Sequence, residues 1–280
     1  MKYKIVSDST ANILELEKIP FQSVPIKIFT AEREFLDNEN VDIKEMVDYL
    51  TTYKGKSGTA CPSPDEYLEA YGDADYVFCV TITSTLSGSY NAARLAKEDY
   101  ESANPGKKVF VVDSLSTGPE MELIIKKILE CIDKDMPFED ICHEVTEYKK
   151  STHLLFALET LANLANNGRV SYSVAKVAGI LGIRIIGKAS NEGTLEIVNK
   201  ARGEKKTIEA LFKNMEGSGY KGGNVIITHW ENEKNSTELK ELILSKYPNA
   251  NVVIKLNRAL CAFYAEKKGI IIGFEGISKY

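Results

Sequence analysis

Two short hydroxyl-rich segments hold the side chains best suited to chemistry. The first, Ser57-Gly58-Thr59-Ala60-Cys61-Pro62-Ser63-Pro64, precedes the helix-like stretch Asp65 to Tyr71. The second, Ser84-Thr85-Leu86-Ser87-Gly88-Ser89, lies between the apolar, strand-like Tyr76 to Ile82 and the helix-like Asn91 to Tyr100. A hydroxyl loop that opens a helix receives anions. Its O–H groups, the free N–H groups of the first turn and the positive end of the helix dipole converge on one point. Two such loops could grip one carboxylate or phosphate, although each taken alone also reads as a helix cap.

Nucleophilic chemistry is the competing reading. Ser87 could attack with His229, at a strand end beside Trp230, as general base and Asp8 or Asp113 as its orienter. The G-x-S-x-G elbow that exposes such a serine is absent, since Thr85 and Ser89 stand where the glycines belong. Of the three histidines, His143 falls within a helical stretch and His153 near a strand start, so both read as structural or surface residues. Cys142 and His143 are neighbours that point different ways on a helix, and no metal site is expected. Gly217 to Gly222 fits G-x-G-x-x-G but follows a helix and opens a strand, the reverse of a dinucleotide site. Gly182 to Lys188 nearly matches a P-loop, yet it carries three isoleucines and is followed by Ala189 where Mg²⁺ needs a hydroxyl.

The elements around these loops alternate in type. Tyr3 to Val6, Val24 to Phe29, Tyr76 to Ile82 and Lys108 to Val112 read as strands separated by amphipathic stretches, an α/β pattern. Several run into polar residues: Ser7-Asp8-Ser9-Thr10, Thr83-Ser84-Thr85, and Asp113-Ser114-Leu115-Ser116-Thr117-Gly118. In an open parallel sheet that edge is where ligands bind. Two helices follow between Pro119 and Lys150, divided at Pro137. From Ser151 the spacing predicts a strand His153 to Phe156, a helix Glu159 to Asn166 ended by Asn167-Gly168, and a helix Ser173 to Leu181. A hairpin, Arg184 to Lys188 with Thr194 to Lys200, turns at Asn191-Glu192-Gly193. Three helix–strand pairs close the chain: Lys205 to Met215 with Asn224 to His229, Ser236 to Tyr247 with Asn251 to Leu256, and Ala259 to Lys268 with Ile270 to Phe274. A boundary near residue 151 divides 1–150 from 151–280.

Length and charge bound the partners. A chain of 280 residues is long enough for two cores. With a net charge of -5 and no basic stripe, nucleic acid is not an expected partner, and an anion has to be met by a local site. Five cysteines without C-x-x-C spacing, and no apolar signal segment after Met1-Lys2-Tyr3-Lys4, predict a reduced cytoplasmic protein. The longest apolar run, Val174 to Ile186, is broken by Lys176, Gly179, Gly182 and Arg184, short of the ~20 residues that span a bilayer.

Taken in order, several blocks resemble the DegV family of bacterial fatty-acid-binding proteins. They are Ile5-Val6-Ser7-Asp8-Ser9-Thr10, Thr59-x-x-Pro62-Ser63, Ser84 to Tyr90 followed by Ala92-Ala93, Val111-Val112-Asp113-Ser114, and Leu161-Ala162-Asn163-Leu164 leading to Gly168-Arg169-Val170-Ser171. The resemblance implies two α/β domains with one long-chain fatty acid between them: residues 1–150 three-layered on a parallel sheet, residues 151–280 two-layered. It implies that Thr59 and Ser87 hold the carboxylate, with Ser63, Ser84, Gly88 and Ser89 around them and Arg169 and Arg202 at the ligand mouth or the partner surface. The implied partner is a separate fatty acid kinase, to which the carboxylate is offered; no catalytic residue, cofactor or metal is implied. The acyl tunnel is expected to be lined by Phe156, Leu158, Leu161, Leu164, Ile180, Ile183, Ile185 and Phe263. A module for a small carboxylated or phosphorylated metabolite, with a short polar cleft, remains an alternative, as does the hydrolase.

The sequence also departs from the family pattern. Ala60-Cys61 stand where Thr-Ser-Gln-Pro-Ser has Ser-Gln, and Arg184-Ile185 where Lys-Pro is usual. Tyr264-Ala265-Glu266-Lys267-Lys268-Gly269 replaces a His-x-Gly-Pro-Gly segment. Tyr264 can donate a hydrogen bond but does not titrate near neutrality as a histidine does.

Overall fold

The apolar runs Ile5-Val6 and Val77-Phe78-Cys79-Val80 have no polar face to offer water, and both become central strands of a parallel sheet. The computed structural model describes residues 2–175 and 182–279. In chain order the first half comprises β1 (Tyr3–Asp8), β2 (Phe21–Val24), β3 (Lys27–Phe29), β4 (Glu34–Leu36), α1 (Ile43–Thr52), β5 (Gly58–Ala60), α2 (Pro64–Tyr71), β6 (Tyr76–Thr81), α3 (Ser89–Ala103), β7 (Lys108–Asp113), α4 (Gly118–Asp133) and α5 (Phe138–Tyr148). The second half comprises β8 (Thr152–Leu158), α6 (Ala162–Asn166), α7 (Tyr172–Ala175), β9 (Ile183–Ala189), β10 (Leu195–Arg202), α8 (Glu204–Gly217), β11 (Asn224–His229), α9 (Glu233–Lys246), β12 (Asn251–Leu256), α10 (Ala259–Ala265) and β13 (Ile270–Glu275). The stretch of the expected Ser173 to Leu181 helix beyond Ala175 lies outside the described residues.

The parallel sheet has the order β2-β1-β6-β7. Side chains alternate across it. Val6, Val77 and Cys79 pack on Tyr67, Tyr71, Ala93 and Tyr100 of α2 and α3. Ile5, Phe78 and Val80 pack on Met121, Ile124, Ile128 and Ile141 of α4 and α5. This is the three-layer arrangement the resemblance implies. β1 has β2 on one side and β6 on the other, so the strand order reverses there and a crevice opens beyond the carboxyl ends of β1 and β6.

One expected strand is two. Pro25 lacks an N–H and fixes its φ, so the ladder of β2 stops at Val24 and the chain turns away. Residues 27–29 join a small antiparallel sheet of order β4-β3-β5, which the sequence patterns do not reveal. Thr59 therefore sits in a strand rather than a loop. It pairs with Ile28, which pairs with Phe35, so all three share a face, and Ile28 and Phe35 are buried.

The second half is built on a mixed sheet, order β10-β9-β8-β13-β11-β12, in which only β11 and β12 run parallel. Helices α8 and α9 cover one face through Ile208, Leu211, Met215, Leu239 and Ile243. The other face meets α4, which touches β13, β11 and β8 while its apolar stripe serves the first sheet. Two buried carboxylates of α4 secure that contact. Glu120 accepts from Lys279 Nζ and Thr152 Oγ1, each at 2.8 Å. Glu122 pairs with Lys255 at 2.7 Å and Lys126 at 2.9 Å. Helix α10 returns to the first half, packing Leu260, Ala262 and Phe263 with Ile26, Ile28, Met46 and Val47. Among the described residues no helix is long and apolar enough to cross a membrane.

Candidate functional site

At the reversal point the chain leaves β6 as a loop, and four consecutive residues of that loop are pinned from different elements. Thr83 N–H donates to Ser116 O at 2.8 Å, and Ser84 N–H to Asp113 Oδ1 at 3.1 Å. Thr85 Oγ1 donates to Gly193 O at 2.6 Å. Leu86 O accepts from Arg169 Nε at 3.2 Å. Gly193, at the tip of the β9–β10 hairpin, has φ +82°, and a Cβ there would lie 2.1 Å from Thr83 Oγ1. Only glycine permits both the turn and the contact. The loop's start is tied to β1 by Asp8, whose Oδ2 accepts from Ile82 N–H at 2.8 Å and whose Oδ1 accepts from Thr10. Burial pushes the Asp8 carboxyl up to about 6, against the pull of those hydrogen bonds.

The pinned loop presents Ser87 and Gly88 to a cavity of about 310 Å³, within the range of small-molecule pockets, roughly 300 to 1,000 Å³. Both halves supply the wall. Ile26, Thr59, Cys61, Ile82, Leu86 and Thr117 come from the first; Leu164, Arg169, Leu195, Leu260, Cys261, Tyr264 and Ile271 from the second. The wall is mainly apolar, and the polar groups are hydroxyls and one guanidinium. A Cβ on Gly88 would stand 2.9 Å from Cys61 Sγ, so the two hydroxyl-rich segments touch where the glycine leaves room.

Two hydroxyl pairs mark the polar part of the wall. Ser87 Oγ lies 3.0 Å from Ser89 Oγ and accepts from Ser89 N–H at 3.3 Å. Thr59 Oγ1 lies 2.7 Å from Tyr264 Oη, joining residues 205 positions apart. Burial raises the Tyr264 phenol above its usual pKa, against the pull of Thr59 and Arg169. The residues two and four after Tyr264, at the places of the glycines in His-x-Gly-Pro-Gly, adopt the backbone that glycine favours: Glu266 has φ 54° and Lys268 φ 61°. Their surroundings hold them there. Glu266 accepts from Asn163 N–H at 3.3 Å, and Lys268 O accepts from Asn232 Nδ2 at 2.7 Å and Arg184 Nη1 at 3.2 Å.

The other residues singled out in the sequence fall in several places. Ser89, buried, begins α3; its N-cap Gly88 offers no side chain, and the Ser89 N–H is met by Ser87 Oγ. Ser63 caps α2 in a reciprocal box with Glu66, and Ser84 is exposed; neither lines the cavity. Arg169 lines it, whereas Arg202 is exposed at the end of β10. Of the expected tunnel residues, Leu164 lines the cavity, and Phe156, Leu158, Leu161 and Ile185 form the core behind it. Phe263 faces α1 instead, half-buried Ile183 starts β9, and Ile180 lies outside the described residues. The wall contributed by Ile26, Leu195, Leu260 and Cys261 has no sequence signal of its own.

The constellation for hydrolysis is not assembled. His229 is buried, its Nδ1 accepts from Asn232 N–H at 3.2 Å, and it does not line the cavity. Asp113 is occupied by the N–H groups of Ser84 and Leu115, and Asp8 by Thr10 and Ile82. His153 bonds Ile277 O at 2.9 Å and stacks on Phe274, and His143 is exposed. Among the described residues no cluster could hold a metal ion.

A family model described as "Uncharacterised protein, DegV family" matches residues 2–275. The chain belongs to the DegV family. A curated DegV domain-containing protein of Streptococcus pneumoniae serotype 4 is 41% identical over 279 residues, spanning 98% of this chain and 99% of its own. A DegV family protein from Eubacterium eligens, crystallised loaded with heptadecanoic acid, is 42% identical, with TM-score 0.96 over 98% of this chain and 100% of that one. The Streptococcus pneumoniae fatty acid kinase (Fak) B3 protein, crystallised loaded with linoleic acid, is 40% identical, with TM-score 0.97 over 99% and 100%. This DegV chain thus shares its whole fold with proteins that carry a long acyl chain.

Proposed function

We propose that this chain binds one long-chain fatty acid in the cavity between two units, 1–150 and 151–280, and offers the carboxylate to a separate fatty acid kinase. One observation carries the reading: Thr59 and Ser87, drawn from separate hydroxyl segments, line one mainly apolar cavity. The relatives loaded with heptadecanoic and linoleic acids support it.

In this reading Thr59 and Ser87 donate to the carboxylate, Tyr264 joins them where the family pattern has histidine, and Gly88 and Ser89 bring the first turn of α3 to bear. Arg169 supplies a positive charge at the mouth. Ser63 and Ser84 hold the ends of the two segments in place, and Arg202 belongs to the partner surface. Burying about fifteen methylenes at ~0.8 kcal/mol each is worth on the order of 12 kcal/mol gross, well above the headgroup's few hydrogen bonds. Ordering the chain removes much of that. The wall thus sets affinity and the hydroxyls set orientation. The protein acts as a carrier rather than a catalyst, consistent with a base at His229 that is turned elsewhere. Five free cysteines fit the reducing cytoplasm.

Organic extraction of the purified protein followed by mass spectrometry tests the reading. We expect a fatty acid at near-equal molar amount. A clean extract from a protein that also takes up no added linoleic acid overturns it.

A further inference from the structure

Three tyrosines share the core beneath the site, and two have partners for their hydroxyls. Tyr71 Oη donates to Ala93 O at 2.8 Å and Tyr100 Oη to Ala74 O at 2.6 Å. Tyr67, on the helix that follows the Thr59 segment, is fully buried, and its hydroxyl makes no hydrogen bond although Ser89 faces it. Buried hydroxyls without partners are uncommon in native proteins, and each calls for a reason.

The reason lies one residue away from the cavity. Ser87 Oγ has one proton and two lone pairs. The Ser89 N–H already takes one lone pair at 3.3 Å, and the Ser89 hydroxyl, at 3.0 Å, can take the other. Ser87's proton then has to point elsewhere, and Ser87 lines the cavity. For Ser89 to donate in this way its own oxygen needs a donor from behind, and Tyr67 is the group placed there. Burial holds the Tyr67 phenol well above its usual pKa, so it keeps its proton. Asp8, the nearby carboxylate, is already taken by Thr10 and Ile82.

We propose that Tyr67 is a positioning residue for the ligand: on binding, its hydroxyl donates to Ser89, Ser89 donates to Ser87, and Ser87 donates to the carboxylate. The inference rests on the fatty-acid reading above. The incoming anion fixes the direction of all three bonds, each polarising the next, and the unpartnered Tyr67 hydroxyl gains its acceptor. A neutral headgroup has much less power to do this, because bonds to an ionised acceptor are roughly twice as strong.

The test titrates wild-type, Tyr67→Phe, Ser89→Ala and Ser89→Thr proteins, stripped of lipid, with linoleic acid and with its methyl ester. For Tyr67→Phe we expect about three- to tenfold weaker binding of the acid, ester binding within about twofold of wild type, and an unfolding midpoint without ligand equal to or above wild type. Ser89→Ala should reproduce the loss for the acid and Ser89→Thr should restore it. Undiminished acid binding by Tyr67→Phe, or equal losses for acid and ester, overturns the relay. A wild-type protein that binds neither ligand removes the fatty-acid reading itself, and the relay with it.

Discussion

The Thr59–Tyr264 hydroxyl pair bridges β5 and α10 at 2.7 Å, and its worth can be measured by a double-mutant cycle. Thr59→Val keeps the shape of the side chain and suits a strand, but it leaves the Tyr264 hydroxyl facing an apolar wall. Tyr264→Phe does the same to Thr59. A buried polar group deprived of its partner costs about 1 to 3 kcal/mol, whereas removing both partners at once is nearly neutral. Both residues are only partly buried, which places each single variant at the lower end, about 1 kcal/mol. The double variant should then be close to wild type, a coupling of about 2 kcal/mol. Urea unfolding of lipid-free protein reads it: with a slope of about 3 kcal/mol/M, each single variant should lower the midpoint by roughly 0.3 M and the double should return toward wild type. Strictly additive losses would falsify the pairing. Adding linoleic acid should change the pattern, because every lost hydroxyl is then a lost donor to the anion; each single variant should bind about three- to tenfold more weakly, and the double weaker still.

Two further outcomes concern the loop's anchors. Asp8 keeps its proton up to about pH 6 when folded, against an ordinary value of 3.8. The stability this contributes is therefore fully present below about pH 4 and lost as pH rises through 6, on the order of 3 kcal/mol. Chemical denaturation across that range should show a fall with pH in wild type that is shallower in Asp8→Asn; parallel profiles would count against the assignment. Gly193→Ala places a methyl 2.1 Å from Thr83 Oγ1 at φ +82°. It should cost about 1 to 3 kcal/mol and weaken ligand binding by displacing the loop, and a variant as stable as wild type would show that the hairpin tip yields freely.

The hydroxyl segments were legible because their chemistry is local: residue type, spacing and the helix that follows each are all written in consecutive positions. Their meeting was not. It depends on Pro25 diverting the chain into the small sheet, whose strands of three residues are too short to show a period, and on a hairpin tip that arrives from residue 193. The cavity wall was the least legible part. Leu260, Cys261 and Tyr264 face it while Phe263 packs toward α1, since neighbours on a helix point about 100° apart and only the tertiary packing says which arc looks inward. Tyr264 stood out only as a departure from a family pattern; its bond to Thr59 gives the departure a structural role.

Helix α4 belongs to residues 118–133 yet serves the interiors on both sides of residue 151. A chimera that joins the first 150 residues of one relative to the remainder of another would set its carboxylates against foreign counterparts of Lys255 and Lys279. Modular exchange at that junction is therefore disfavoured, and acyl preference has to diversify by substitution within a whole, jointly inherited chain.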